Sequence, residues 1–297
     1  MGTMKLAKSD FVLLAFIHSA VLILLMMVLY PLIYVLSCSV SSAEYVAVGK
    51  VWLFPKGFSL LGYKRVFQDP AILTGYRNTL IYTIFGTILN MTVTVPAGYS
   101  LSKSFVPGRN VIMGFFLFTM YFSGGLIPSF LLMRSLHLYN SPMILIILGA
   151  FSVYHCIICR TFFSAVPKEM EEAAMIDGAS PVRIFFQIVL PVSQALLGVM
   201  ILYFAVGHWN SYFSAMIYIV NDAYKPLQLI LRKILILEAA SSAMMDMSSD
   251  DYINEMFNVR ELIKYAVIVV SSLPVLILYP FLQKYFVKGV MIGSLKG

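Results

Sequence analysis

Long apolar runs separated by shorter polar stretches organise this chain, and within each run the apolar residues are consecutive rather than alternating. Consecutive runs of about twenty residues predict helices that cross a hydrocarbon core of roughly 30 Å, whereas alternation would predict barrel strands. Spans are expected at 11–37, 79–101, 111–133, 143–163, 192–220 and 265–286. The predicted fold class is an all-α membrane protein with six transmembrane helices, forming one domain over residues 1–297. The first run follows Lys5 and Lys8, as the core of a secretory signal would. It is too long for such a core and no small-residue cleavage site is evident, so it is read as a retained span.

The connections are unequal. Residues 102–110 and 134–142 are short polar links in which Pro107-Gly108 and Asn140-Ser141-Pro142 mark turns. Residues 38–78 are longer and carry Trp52, Phe54 and Pro55, a composition suited to the membrane surface. Within 221–262, Leu227, Ile230, Leu231, Ile234 and Leu237 recur at helical spacing and predict an interfacial helix. An acidic stretch through Asp246, Asp250, Asp251 and Glu255 follows it. Helix breakers lie inside several spans: Pro96 in the second, Gly124, Gly125 and Pro128 in the third, Pro274 and Pro280 in the sixth. Each taken singly fits ordinary packing of membrane helices. The third span, broken twice near its middle, is the better candidate for lining a pathway, because backbone groups freed in lipid need partners or water.

Composition narrows the class. Of the 297 residues, 60% are hydrophobic and 12% charged, with a mean hydropathy of +0.86. A soluble domain carries about 25% charged residues. The formal charge of +7 would point to nucleic acid in a soluble chain. Here the basic residues flank apolar runs, so lipid rather than nucleic acid is the expected surrounding. With the N-terminus inside, ten of the 21 lysines and arginines fall on that side, which decides nothing. Lys5 and Lys8 before the first span, with Lys284, Lys288 and Lys296 after the last, favour both termini on the inner side. The odd set Cys38, Cys156 and Cys159 argues against a disulfide framework. His155-Cys156-x-x-Cys159 has no apparent fourth ligand, so no metal is expected. His18, His155 and His208 fall within spans, a default hint of function. No carboxylate accompanies them there, and they are read as neutral, hydrogen-bonded rings.

Residues 164–191 hold the densest punctuation in the chain. Pro167 suits a first helical position, and Glu169, Glu171 and Glu172 complement the positive end of a helix dipole. Ala173, Ala174 and Met175 favour helix, and Gly178 offers a stop at positive φ. Ser180 then reads as an N-cap with Pro181 behind it, and the second helix ends near Leu190-Pro191. The paired alanines predict a small, flat face that another protein's groove could approach. The pattern Glu172-Ala173-Ala174, three residues, Gly178, nine residues, Ile188, one residue, Leu190-Pro191 resembles the EAA signature of bacterial ABC importer permeases. The match extends to Asp177-Gly178-Ala179 and Phe185; Ala195 stands where that family often has proline. The segment after residue 286, with Gly289, Gly293, Lys296 and Gly297, is similar to the ending of carbohydrate-uptake permeases related to the maltose system. Trp209-Asn210-Ser211-Tyr212 through Lys225-Pro226-Leu227-Gln228 looks like their complex-sugar and polysaccharide subgroup.

The resemblance implies a permease subunit that pairs with a second homologous permease. Each presents a cytoplasmic coupling helix, between spans four and five, to one of two ATPase subunits. An extracytoplasmic solute-binding protein delivers an oligosaccharide. Glu172, Ala173, Ala174, Asp177, Gly178, Ile188, Leu190 and Pro191 would form or support the ATPase contact, and residues 289–297 of the tail 287–297 would reach toward the ATPase interface. No cofactor is expected on this chain and no enzymatic activity: it contains no Gly-x-x-x-x-Gly-Lys-[Ser/Thr] loop, so ATP and Mg belong to the partner subunits. Sugar contacts need aromatic faces and sparse polar groups. Tyr121, Tyr154, Trp209, Asn210 and Tyr212 supply these in spans three to five, although aromatic residues also fill helix contacts. The alternative is an ion-coupled secondary transporter of a small polar solute. It would place acidic groups within spans, yet Asp and Glu avoid the centres of all six. A membrane enzyme would need a catalytic cluster at one face; the dense cluster here is the 164–191 loop, whose residues shape helices.

Overall fold

The computed structural model describes residues 8–245 and 262–280, and helix is the regular structure throughout them. The acidic stretch and the tail residues Gly289, Gly293, Lys296 and Gly297 lie outside the described residues. The chain divides into two compact units, Met1–Asp69 with Lys233–Ser272 and Pro70–Arg232 with Leu273–Gly297.

In the first unit, α1 (Lys8–Ser39) is followed by the short helices α2 (Ala43–Ala47) and α3 (Leu61–Gln68). The most apolar window of α1 is entirely unburied, as suits a helix solvated by lipid tails. Its C-terminal end is held by hydroxyls. Ser37 donates to the Leu53 carbonyl at 2.6 Å, Ser41 donates to the Ser37 carbonyl, and Ser41 Oγ accepts from the Lys56 amide. Cys38, Val46, Val51 and Leu262 form a small core here. Trp52 and Phe54 stay exposed, as expected of a surface segment.

The second unit is built on α4 (Pro70–Ser102), whose 33 residues begin nine positions before the expected span because Pro70 starts the helix and residues 70–78 are too polar for a hydropathy reading. The helix runs through Pro96 without ending. At Gly98 a side chain would collide with Cβ of Cys159, so the absence of one is what lets the helix carrying Cys159 approach. Next come α5 (Arg109–Tyr121) and α6 (Leu126–Ser135), where a single span is expected, bent by 110° at a break that ends on Gly125 at φ 86°. The glycines there act as breakers, as the sequence predicts.

The expected continuous span at 143–163 is instead α7 (Met143–Ile147) and α8 (Val153–Ser164), separated by Leu148–Ser152 with Gly149 at φ 82°. The 192–220 span likewise resolves into α12 (Gln194–Trp209) and α13 (Phe213–Tyr218). Between α8 and α12 lie α9 (Lys168–Ile176), α10 (Pro181–Ile184), a π turn over Phe185–Val189, and α11 (Leu190–Val192). After α13 the chain turns at Asn221–Tyr224 and enters α14 (Leu227–Met245), which begins where the interfacial helix is expected. The last described helix is α15 (Leu262–Pro280).

Among the described residues, three helices are long and apolar enough to cross a membrane (Phe11–Ser39, Pro70–Ser102 and Leu262–Pro280), and counting each bent pair as one span makes up to five. Polar side chains of α4 pin the loop before α14. Asn78 donates to the Ala223 and Lys225 carbonyls, Tyr82 donates to the Tyr224 carbonyl, and Thr79 accepts from the Leu227 amide.

Candidate coupling surface

Local sequence dictates the shape of the 164–191 loop. Pro167 occupies the N-cap, one position earlier than expected, with φ −56° and ψ 127°, and α9 starts at Lys168. Glu169 and Glu171 sit in the first turn. Beyond Ile176, Gly178 takes φ 76°; its amide donates to the Met175 carbonyl at 3.0 Å, and the Ala179 amide donates to the Ala174 carbonyl at 2.9 Å. These two bonds make a Schellman cap, which satisfies carbonyls that a helix end otherwise leaves free. Ser180 Oγ then accepts from the Arg183 amide and Pro181 opens α10. Two capped helices hinged at Gly178 are thus present as the sequence predicts. The π turn that follows precedes Pro191, which cannot donate to a carbonyl one turn back. After Val192 the chain bends by 85° into α12.

Packing sorts the signature residues by direction. Ala174 is buried with Ile184, Phe185 and Val189 against Phe163 of α8 and Leu196 and Met200 of α12, with Ile188 and Leu190 half-buried at the edge of that cluster. Glu172, Ala173, Asp177, Gly178 and Pro191 are exposed. The two alanines therefore do not form one flat face. Adjacent helical residues point about 100° apart, so Ala173 faces out while Ala174 anchors the helix.

Glu171 is 6% exposed, and its carboxylate is held by α4 and the residue after it. Lys103 Nζ donates to Oε1 at 2.5 Å, Tyr99 Oη donates to Oε2 at 3.3 Å, and the ammonium lies 4.5 Å from the Tyr99 ring centroid. A buried carboxylate persists only when paired and hydrogen-bonded, and here both oxygens are engaged. From sequence, Glu171 reads as one more acid for the helix dipole; no local signal links it to Lys103.

The residues expected along a sugar pathway are not brought together. Tyr121, at the end of α5, is 76% exposed, and Tyr154, at the start of α8, is 58% exposed. Trp209 is packed in the interior, edge-on to Tyr76 at 5.5 Å. Asn210 is exposed beyond α12, and Tyr212 lies under the Arg232 guanidinium. Two of the histidines have polar partners that sequence does not reveal. His208 Nε2 donates to Asn90 Oδ1 at 2.7 Å, and His155 Nδ1 lies 2.8 Å from Ser152 Oγ. Cys38, Cys156 and Cys159 are buried free thiols.

A largely unburied first helix, other long apolar helices and two bent helix pairs are the features of a helical membrane protein. Residues 70–292 match the family described as the inner membrane component of binding-protein-dependent transport systems, and this chain belongs to that family. Its members are permease subunits, which are not themselves enzymes. The chain is 38% identical over 267 residues to Protein LplC of Bacillus subtilis (strain 168), covering 90% of this chain and 89% of that one. It is 37% identical over 282 residues to the polygalacturonan/rhamnogalacturonan transport system permease protein YtcP of the same organism, covering 95% and 97%. Among solved structures it is similar to a chain from a bacterial ABC transporter involved in the import of the acidic polysaccharide alginate. That likeness has a TM-score of 0.85 and 33% identity, covering 96% of this chain and all of that one.

Proposed function

We propose that this chain is one of two homologous permease subunits that form a pathway for an oligosaccharide or polysaccharide across a bacterial inner membrane. A solute-binding protein delivers the sugar, and two cytoplasmic ATPase subunits, carrying ATP and Mg, supply the energy. Six crossings fit this reading: the three long helices, the two bent pairs, and α7 with α8, with both termini in the cytoplasm. The carbohydrate cargo is supported by the polygalacturonan/rhamnogalacturonan permease and the alginate importer that the chain resembles.

The coupling role rests on one observation. The capped hinge at Gly178 is anchored on one side by Ala174 and Glu171, while Glu172, Ala173 and Asp177 remain outward. Ile176 is 87% exposed, and Val182 and Phe186 are also largely uncovered, as suits a hinge that fills a groove on another protein. On this reading the ATPase engages that surface, and Gly289, Gly293, Lys296 and Gly297 reach the same partner. The test is co-purification with the ATPase subunits and saccharide uptake by proteoliposomes. Gly178→Pro cannot hold φ 76° and loses an amide donor; Glu172→Lys reverses an outward charge. Both variants should insert in the membrane yet lose stimulated ATP hydrolysis and uptake. Normal import by either would sink the coupling assignment.

A further inference from the structure

A polar niche lies in the second unit where two of the expected spans are interrupted. One wall is the non-helical stretch Leu148–Ser152, and another is the end of α12 with the Ser211–Ser214 region. Non-helical backbone at membrane depth is tolerated where it is buried in protein or lines a water-filled cavity. Leu148, Gly149 and Ser152 of this stretch line a cavity. Asn90, 2% exposed, donates through Nδ2 to the Gly149 carbonyl at 2.6 Å and the Ala150 carbonyl at 3.0 Å. Its Oδ1 accepts from His208. A side chain at Gly86 would collide with the His208 ring, so that glycine leaves the imidazole its place. One buried amide therefore holds the break open and orients a histidine beside it.

The cavity so formed measures about 250 Å³ and is lined by Ser152, His155, Tyr203, His208, Ser211 and Ser214 among others. The His155 ring stands 4.7 Å from Phe204 and 5.4 Å from Tyr203, which gives an aromatic wall. None of its lining residues is Lys, Arg, Asp or Glu. The hydroxyls of Tyr203, Ser211 and Ser214 have no hydrogen-bond partner among the described residues. Hydroxyls without charge beside an aromatic face are what a sugar ring needs: C–H contacts on one side and neutral donors and acceptors on the other. The volume lies below the roughly 300–1,000 Å³ of pockets that enclose drug-sized ligands, which suits one ring of a chain rather than the chain. A larger neighbouring cavity of about 530 Å³ between α4, α12 and Pro274, Val275 and Leu278 is walled almost wholly by apolar side chains, with only the hydroxyls of Thr83 and Thr87 as polar groups beside Trp209.

We propose that this niche is a sugar subsite that takes one pyranose ring of the transported chain, stacked by Tyr203 and hydrogen-bonded by Ser211, Ser214 and His155. The inference rests on the saccharide reading above. It differs from the sequence-level candidates, of which none lines the cavity.

The experiment uses the complete importer in proteoliposomes, with its binding protein, and tetragalacturonate, an alginate tetrasaccharide and a neutral maltodextrin tetrasaccharide as probes. The double variant Ser211→Ala/Ser214→Ala should raise the half-saturating saccharide concentration at least fivefold, with a smaller effect on maximal rate. As a second measurement, Ser214→Cys is labelled with a small water-soluble thiol reagent, the natural cysteines being buried. Transported saccharide should slow labelling at least fivefold. If the parent importer takes up none of the three saccharides, the saccharide reading fails and the subsite with it. If the parent imports one while half-saturation and labelling rate stay unchanged, the niche is a structural water cavity and the subsite alone is overturned.

Discussion

At the scale of single residues, the Lys103–Glu171 pair carries the sharpest expectation. Replacing Lys103 by Met leaves a buried carboxylate without its counter-charge, which costs about 3–5 kcal/mol when one partner of a buried pair is removed. The exchange Lys103→Glu/Glu171→Lys should recover part of that loss, read as thermal unfolding of the purified complex in detergent. Gly178→Ala isolates a different effect, because nothing lies within 4 Å of the added carbon and φ is 76°. The cost is then conformational, about 1–2 kcal/mol for holding an L-residue in the left-handed region. Gly178→Asn should be milder in the same assay. Gly178 was legible in the sequence because turn chemistry is local. The buried pair was not, because 68 residues separate its members and no short-range pattern encodes their meeting.

At the scale of elements, local caps were legible and interruptions of long spans largely were not. Ser180, Pro181 and Gly178 each act on neighbours within a few residues, so the two helices around the hinge could be read directly. Ser180→Ala should cost about 1 kcal/mol of local stability through the lost cap, seen as faster amide exchange confined to α10. The breaks at 148–152 and 210–212 lie in windows apolar enough to read as continuous helix. The first is recognisable only through a tertiary partner, the buried amide of Asn90. Trp209 shows the converse, since an aromatic residue expected along a pathway is claimed by packing against Tyr76.

At the scale of the molecule, the family match begins at Pro70, where α4 and the second unit both start. Nitroxide labels at exposed α1 positions such as Leu24 and Met27 should collide with dissolved oxygen far more than with a polar nickel chelate. Predominant access to the chelate would mean that α1 is not solvated by lipid. Within the second unit, α4 touches both the proposed coupling surface and the proposed sugar niche. Near its C-terminal end lie Tyr99 and Lys103, which grip α9, and at the other end Asn78, Thr79 and Tyr82 hold the loop before α14. Between Asn78 and Ser102 an α-helix rises roughly 36 Å at about 1.5 Å per residue, more than the thickness of a hydrocarbon core. Asn90 stands midway along it, bonded to the break in the neighbouring span. The helix is one continuous rod with three attachment points, so on the coupling reading proposed above a displacement of α9 is expected to reach the break at 148–152 and the loop before α14 as one movement, without a relay of intermediate side chains.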